Sequence, residues 1–443
     1  MQSGKENVDS ERMVLKMKVL VINAGSSSVK YHLYQMPQVK ILAKGKVERI
    51  GEKSSKLSHF YHGKIHTLQK KVEDVGEAME LILETLAGRD VGVIKDFSEI
   101  GGVGHRVVHG GEEFTGSVII DEKVIASIEK FAELAPLHNP PNLAGIRAVQ
   151  RRLPDTKQVA CFDTAFHATI PKVAYMYALP YELYEKYDIR RYGFHGISHR
   201  YVARRAAAIM GRGKYDINAV TCHLGNGCSV TAVKQGRSID TSMGFTPLEG
   251  VPMGTRSGDL DPAILFYLED KGYDVKALKA LCNKKSGLLG ISGVSNDVRT
   301  LEELAEKGHT RAKLAIDILC YRIKKYIGTY CAVLDTVDAV VLTGGIGENA
   351  VSLRQQICTG LTQLGVRLDS EKNRTAVAKE AEISTEDSRV KVFVIPANEQ
   401  VAIAHDTYEL AGGRLPIVTK PNTHNNSARQ RMKILKDKGE LSN

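Results

Sequence analysis

The stretch "VLVINAGSSSVKYHLYQ", residues 19–35, decides the fold. Four β-forming residues run into Gly25 and three serines, and a second apolar alternation starts after Lys30. The pattern predicts two antiparallel strands joined by a turn of small residues. Such a turn exposes backbone N–H groups, and its hydroxyls add donors that suit phosphate. It matches neither the P-loop nor the dinucleotide fingerprint, so a phosphate-binding hairpin and an ordinary surface hairpin with serine turn chemistry both fit.

Three further strands end in small or polar segments. They are "AVTCHLGNGCSV" (219–230), "AVVLTGGIGEN" (339–349) and "VFVIPANEQ" (392–400). The first resembles residues 19–30, so either a weak internal duplication or coincidence relates the two hairpins. Together, three glycine-containing turns at strand ends favour a nucleotide site, with Asn226 placed between two glycines.

Strand-like and helix-like segments alternate along the chain, which predicts an α/β architecture. Val75, Met79, Ile82 and Leu86 recur at helical spacing, with Gly88 as the expected stop. A second long helix is predicted over 311–334. At 443 residues the chain exceeds the usual size of a single core, so two domains are expected.

The composition is that of a globular protein, with 43% hydrophobic and 25% charged residues. Residues 1–16 lack the apolar segment of a secretory signal, and no run approaches the ~20 apolar residues that span a bilayer. We therefore expect a cytoplasmic protein without membrane contact. The seven cysteines include no Cys-x-x-Cys pair, which favours reduced, mostly buried thiols over disulfides or zinc.

The net charge is +10, and residues 414–443 hold seven basic against two acidic side chains, or +5. This tail is polar at its start and favours a solvated appendage. A nucleic-acid-binding arm is the alternative. We expect no nucleic acid as a partner.

Ionisable residues are dense in several motifs. Arg106 and Arg256 are candidates for gripping an anion in bidentate fashion, or are simply surface ion pairs. Asp163 and Glu399 follow strands, where α/β sheets present ligand-binding groups, and carboxylates there could hold Mg²⁺ on nucleotide phosphates. Asp163 could equally be an ordinary turn residue. Among 14 histidines, His195 in a glycine-flanked loop is the preferred functional one.

Nine ordered motifs closely resemble the acetate kinase family over residues 18–407. They are "VINAGSSSVKY", "GHRVVHGG", "LAPLHNPPN", "FDTAFH", "RRYGFHGISHRYV", "HLGNGCSV", "DTSMGFTPLEGVPMGTRSGDLDP", "TGGIGEN" and "ANEQVAIAHDT". The resemblance implies two duplicated actin-like (ribonuclease H-like) domains flanking a nucleotide cleft, in a homodimer. The first domain would comprise 17–163 plus 399–412 and the second 164–398, with 1–16 and 413–443 as extensions.

The resemblance also implies roles for matching residues. Arg106, Arg256, Asp163 and His195 would be catalytic, and Asn23 with Glu399 would hold Mg²⁺, with Mn²⁺ as a possible substitute. Acetate would contact Arg106 and an apolar pocket of Val108, Leu137, Phe194 and Pro247. The ATP side would consist of Asn23, Ser26, Ser28, Lys30, His223, Gly225, Asn226, Gly227, Asp297, Arg299, Gly344, Gly345, Ile346, Gly347 and Asn349.

The implied reaction is reversible, in-line transfer of the ATP γ-phosphoryl group to acetate, which forms acetyl phosphate. Acetate is already an anion at neutral pH, so no strong general base is needed. Two alternatives stay open: a kinase for propionate or another short acid, and a non-catalytic nucleotide-binding regulatory protein. Val108 suggests a tight pocket, and the second anion site argues against a pure binder.

Overall fold

The computed structural model describes residues 15–414, which form two separate sheets. The first sheet consists of β1 (Met17–Ala24), β2 (Ser28–Met36), β3 (Lys40–Glu48), β4 (Ser55–Tyr61), β5 (Lys64–Lys70), β6 (Ile100–Val107), β7 (Val118–Ile119) and β8 (Gln158–Phe162). The second consists of β9 (Ala219–Leu224), β10 (Cys228–Lys234), β11 (Arg237–Thr241), β12 (Ala339–Thr343), β13 (Ala381–Glu382) and β14 (Lys391–Val394). Their strand orders are β5-β4-β3-β2-β1-β6-β8-β7 and β11-β10-β9-β12-β14-β13.

Fifteen α-helices are found in the described part of the chain. They are α1 (Val75–Leu86), α2 (Glu122–Lys130), α3 (Asn139–Arg152), α4 (Lys172–Tyr175), α5 (Glu182–Tyr187), α6 (Gly196–Ile209), α7 (Ala263–Asp270), α8 (Val275–Lys284), α9 (Gly287–Ser292), α10 (Val298–Glu306), α11 (Thr310–Leu334), α12 (Gly344–Asn349), α13 (Val351–Cys358), α14 (Ser370–Thr375) and α15 (Glu399–Leu410). The predicted α/β class and the predicted helices at 75–86 and 311–334 are confirmed.

The two sheets share one five-stranded topology. In the first, β3-β2-β1 is antiparallel and β6 and β8 continue parallel to β1. In the second, β11-β10-β9 is antiparallel and β12 and β14 continue parallel to β9. Both predicted hairpins are confirmed, and the shared order supports an internal duplication over coincidence. The glycines of 344–349, predicted as a turn, instead form the short helix α12.

Two helices pack across the two sheets. The helix α15, which follows β14 of the second sheet, packs on the first sheet, and α6, which comes after β8 of the first sheet, packs on the second. Apolar residues of α15, including Ile403 and Tyr408, pack on β1 and β8 of the first sheet. Those of α6, including Val202 and Ala206, pack beneath β9, β12 and β14 of the second. The crossing brings the carboxyl-terminal strand ends of both sheets to one cleft. The domain boundaries themselves stay a prediction.

The remaining sequence predictions concern cysteines, membranes and the termini. All seven cysteines are free thiols and six are buried, as predicted. No helix within residues 15–414 combines the length and apolarity needed to cross a bilayer. Residues 1–14 and most of the basic tail, 415–443, lie outside the described residues.

Candidate active site

The carboxyl ends of the neighbouring parallel strands β1, β6 and β8 bring together Asn23, Arg106 and Asp163. Arg106 on β6 donates from Nη2 to Asp163 Oδ2 at 2.5 Å and from Nε to Oδ1 at 3.2 Å. Its Nη1 donates to Asn23 Oδ1 at 3.3 Å, at the end of β1. Asp163 directly follows β8, and its side chain is only 1% exposed. The strand ends therefore build a bidentate, buried ion pair.

Glu399, the first residue of α15, adds a second carboxylate to this group. Burial by itself lowers the pKa of Arg106, but the Asp163 and Glu399 charges raise it above the usual value. Burial raises the pKa of the Asp163 carboxyl; Arg106 opposes this and Glu399 adds to it. Two carboxylates thus face one arginine, and the excess negative charge suits a divalent cation.

Arg256 and His195 converge on Gly227 from the opposite side of the cleft. A Cβ at Gly227 would lie 3.4 Å from His195 Nε2 and 3.6 Å from Arg256 Nη1. Arg256 donates from Nη1 to the Pro247 carbonyl at 3.3 Å and contacts Met253 Sδ at 3.5 Å. Among residues 15–414 it has no carboxylate partner, and burial lowers its pKa. An unpaired guanidinium beside an imidazole is a ready site for an anion.

His195 is held by a chain of hydrogen bonds through Ser229, His199 and Thr221. The sequence analysis did not predict these three partners. His195 sits just before α6 in the left-handed region, with φ 58°, a conformation that non-glycine residues adopt rarely. Its Nδ1 bonds Ser229 Oγ at 2.9 Å, Ser229 Oγ bonds His199 Nε2 at 2.7 Å, and His199 Nδ1 bonds Thr221 Oγ1 at 2.7 Å. The one available signal was that His199 lies four residues after His195 in the same motif, "RRYGFHGISHRYV".

Burial and neighbouring charges lower the pKa values of the histidines in this region. Burial, followed by the neighbouring His223, His199 and the two site arginines, lowers the pKa of His195 well below 6.5. The His223 ring stacks on His195 with centroids 4.2 Å apart, and burial lowers its pKa to about 4. His138, quoted in the "LAPLHNPPN" motif but given no role, is also a neighbour, since Arg106 and Arg256 both add to the lowering of its pKa by burial.

A cavity of about 650 Å³ lies beside the second hairpin and is lined by seven of the fifteen residues predicted for the ATP side. Its lining includes Gly225, Asn226, Asp297, Arg299, Gly345, Ile346 and Asn349, together with the unpredicted Asn296, Val298, Glu302 and Ala350. Asp297 caps α10 and accepts from Arg299 Nη2 at 3.1 Å. Gly344 and Gly347 are buried behind this wall. The space has the size of a ligand pocket.

The other predicted residues occupy different positions around the cleft. Lys30 pairs in register with Asn23, and Ser26 and Lys30 are exposed at the first hairpin, with Ser28 half-buried. Val108 and Phe194 are buried at 4% and 3% exposure, whereas Leu137 is 65% exposed. The roles of all these residues stay predictions.

The residues available for a metal ion fit Mg²⁺ bound through few protein ligands. The described residues contain no group of three or more His, Cys, Asp or Glu side chains arranged around a metal. Mg²⁺ usually keeps several waters and takes one or two carboxylates plus substrate phosphates. The oxygen donors of Asn23, Asp163 and Glu399 meet that requirement.

Comparisons with known proteins agree with this arrangement. A family model described as the acetokinase family matches residues 18–405. The acetate kinase of Thermotoga maritima is 55% identical over 397 residues, which are 89% of this chain and 98% of that protein. The crystal structure of Porphyromonas gingivalis acetate kinase superposes with TM-score 0.86 and 47% identity, covering 89% and 99% of the two chains. The crystal structure of a propionate kinase from Francisella tularensis superposes with TM-score 0.82 and 42% identity. The match covers 89% of this chain and 100% of that chain.

Proposed function

The chain belongs to the acetokinase family, and from this premise we propose that it transfers the γ-phosphoryl group of ATP to the carboxylate of acetate. The products are ADP and acetyl phosphate, and the same site runs the reverse reaction. One observation carries the proposal: Arg106, paired with Asp163, and Arg256, which has no carboxylate partner among residues 15–414, both lie near His195 and His138, and the 650 Å³ cavity is lined by the adjoining Gly225 and Asn226. A site for two anions is what this transfer requires.

Arg256 and His195 are proposed to hold the phosphoryl group in flight. The charge of the loose transition state spreads over the equatorial oxygens, so fixed donors in a dry cleft lower its energy most. Since Nδ1 of His195 is engaged by Ser229, the nitrogen beside Gly227 is Nε2. From there the imidazole would donate a hydrogen bond to the phosphoryl group without exchanging a proton.

Arg106 is proposed to align acetate against the phosphoryl group. Its pairing with Asp163 fixes the guanidinium plane, and its Nη1 is held by Asn23. The acetate oxygen attacks phosphorus in line while the β–γ bridging oxygen leaves with ADP. Because acetate is already ionised at neutral pH, the residues only align and neutralise the two anions.

Asn23 and Glu399 are proposed to hold Mg²⁺, with Asp163 beside them. Bound there, the cation would neutralise the charge of the ATP phosphates. Ser26, Ser28 and Lys30 of the first hairpin, with His223 and Gly227 on the opposite wall, supply donors for the same phosphates.

Acetate is the proposed acid, and its methyl group would meet Val108 and Phe194. Both are buried apolar side chains of one core cluster, and the Pro247 carbonyl accepts a hydrogen bond from Arg256. One extra methylene changes binding by only about 1–3 kcal/mol in such pockets, so propionate should be a poorer substrate and not an excluded one.

We also propose that the protein is a homodimer of the cytoplasm. In support, α7 has the sequence "AILFYLED" yet buries none of its residues. Its Ile264, Phe266 and Tyr267 are 48%, 67% and 60% exposed. A contiguous apolar patch of this kind is typical of an interface with a second chain.

The test is acyl phosphate formation by the purified protein, trapped with hydroxylamine, with Mg²⁺ and ATP and subsaturating acetate, propionate or butyrate. Highest turnover efficiency with acetate supports the proposal. Preference for a longer acid would contradict the proposed pocket, and no product with any acid despite measured ATP binding would contradict the proposed reaction.

A further inference from the structure

A second cavity, of about 250 Å³, lies beside α6 and apart from the nucleotide cavity. Ile197, Arg200 and Arg204 line it and are spaced three and four residues apart along one face of α6. His199 lies about a third of a turn from the centre of this face at 100° per residue, and its ring bonds Ser229 and Thr221. The two cavities share no lining residue.

The lining of this cavity is basic and comes from both halves of the molecule. Ser117 belongs to the segment before β7 of the first sheet, and Arg237 opens β11 of the second. With Arg200 and Arg204, three guanidiniums therefore border a small space. The hydroxyls of Thr115, Thr169 and Tyr215 also line the cavity.

Only one of the three arginines has its charge compensated by an ion pair. Arg200 donates to Asp406 Oδ1 at 3.1 Å and Oδ2 at 2.5 Å, and Ser117 Oγ donates to the same carboxylate at 2.5 Å. Within residues 15–414, Arg204 and Arg237 form no hydrogen bond or ion pair from their side chains. Arg237 lies over the Tyr215 ring at 5.7 Å from its centroid.

Arg204 is half-buried, so its uncompensated charge is costly. Burial and then the neighbouring Arg200 lower the pKa of Arg204, and the opposing charges of Asp406, Tyr215 and Glu409 do not restore it. A cation taken partly out of water favours any anion that can reach it.

We propose that this cavity binds a small oxyanion with at least two negative charges, either a phosphate group or a dicarboxylate, through Arg204 and Arg237. Guanidinium groups bind both classes in the same bidentate manner. The volume admits an ion of that size, whereas the nucleotide has its own larger cavity. Because the lining spans both sheets, an anion held by Arg204 and Arg237 would also lie beside Thr115 and Ser117 of the first half.

Isothermal titration calorimetry at constant ionic strength tests the proposal, with inorganic phosphate and succinate as separate probes. The variants are Arg204→Met and Arg237→Gln, and Arg205→Met is the matched control. Arg205 lies on the same helix, outside the cavity, and is paired with Glu380. Loss of a charged hydrogen bond weakens binding by about tenfold or more.

The expected result is that the wild type and Arg205→Met bind a probe, while Arg204→Met and Arg237→Gln bind it at least tenfold more weakly. The tighter probe identifies the class of anion. Equal affinity in all variants, or no heat with either probe at tens of millimolar, overturns the proposal. So does binding that is lost only in Arg256→Ala, because the anion would then occupy the catalytic cleft. Arg237 is exposed, so its variant tests the site without risk to folding.

Discussion

Arg106→Ala and Arg256→Ala should both abolish most activity, yet differ sharply in stability. Arg106 is tied to a buried carboxylate and Arg256 is not. The pair of variants therefore separates a catalytic role from a structural one at two arginines in the same cleft.

The stability difference follows from what each arginine leaves behind. Without Arg106, Asp163, whose side chain is 1% exposed in the intact protein, loses both of its guanidinium contacts. Removing one member of a buried pair costs about 3–5 kcal/mol. Among residues 15–414 the Arg256 side chain donates only to a carbonyl oxygen and a sulfur atom, so its loss should cost about 0.5–1.5 kcal/mol.

The catalytic losses should be similar, because each arginine neutralises one of the two reacting anions. Removal of a preorganised transition-state donor lowers turnover by about 10²–10³-fold, which is roughly 2.7–4 kcal/mol of barrier. The measurements are hydroxylamine-trapped acetyl phosphate for turnover and urea unfolding for stability, with the wild type and Arg205→Met alongside. Arg205 is an exposed helix residue outside the cleft.

Two results would refute the reasoning. Turnover within threefold of wild type in either variant would remove that arginine from the site. An unfolding free energy of Arg106→Ala equal to that of Arg256→Ala would mean that the Arg106–Asp163 pair does not stabilise the fold as its burial requires.

Three further outcomes are expected. Ser229→Ala should lower kcat about fivefold with little change in KM for acetate, because His195 loses one hydrogen bond. Ser229→Thr should recover most of the lost kcat. An unchanged kcat in Ser229→Ala would contradict the positioning role of Ser229. Gly196→Ala should destabilise the protein in urea by about 1–3 kcal/mol, since a Cβ would lie 2.2 Å from the Asp163 carbonyl oxygen; a wild-type midpoint would be inconsistent with that close approach. Phe266→Glu should yield monomers in sedimentation velocity, and an unchanged dimer would exclude α7 from the interface.

Local patterns in the sequence determined the elements of the fold. The alternation through residues 19–35 and 219–230 specified both hairpins, and spacings of three and four specified α1 and α11. These features depend on neighbours within one strand or one helical turn, which sequence displays directly. The motif resemblance then indicated the family, which the comparisons confirmed.

The tertiary structure alone decided which polar groups meet. Arg106 and Asp163 are 57 residues apart, and His195 and Ser229 are 34 apart. Their contacts arise from the order and register of strands, and from α6 and α15 crossing between the sheets. The uncompensated charge of Arg204 is likewise visible only once its surroundings are packed. Periodicity reports which face of an element is buried, whereas the partner on the other side is fixed by long-range packing that no local pattern encodes.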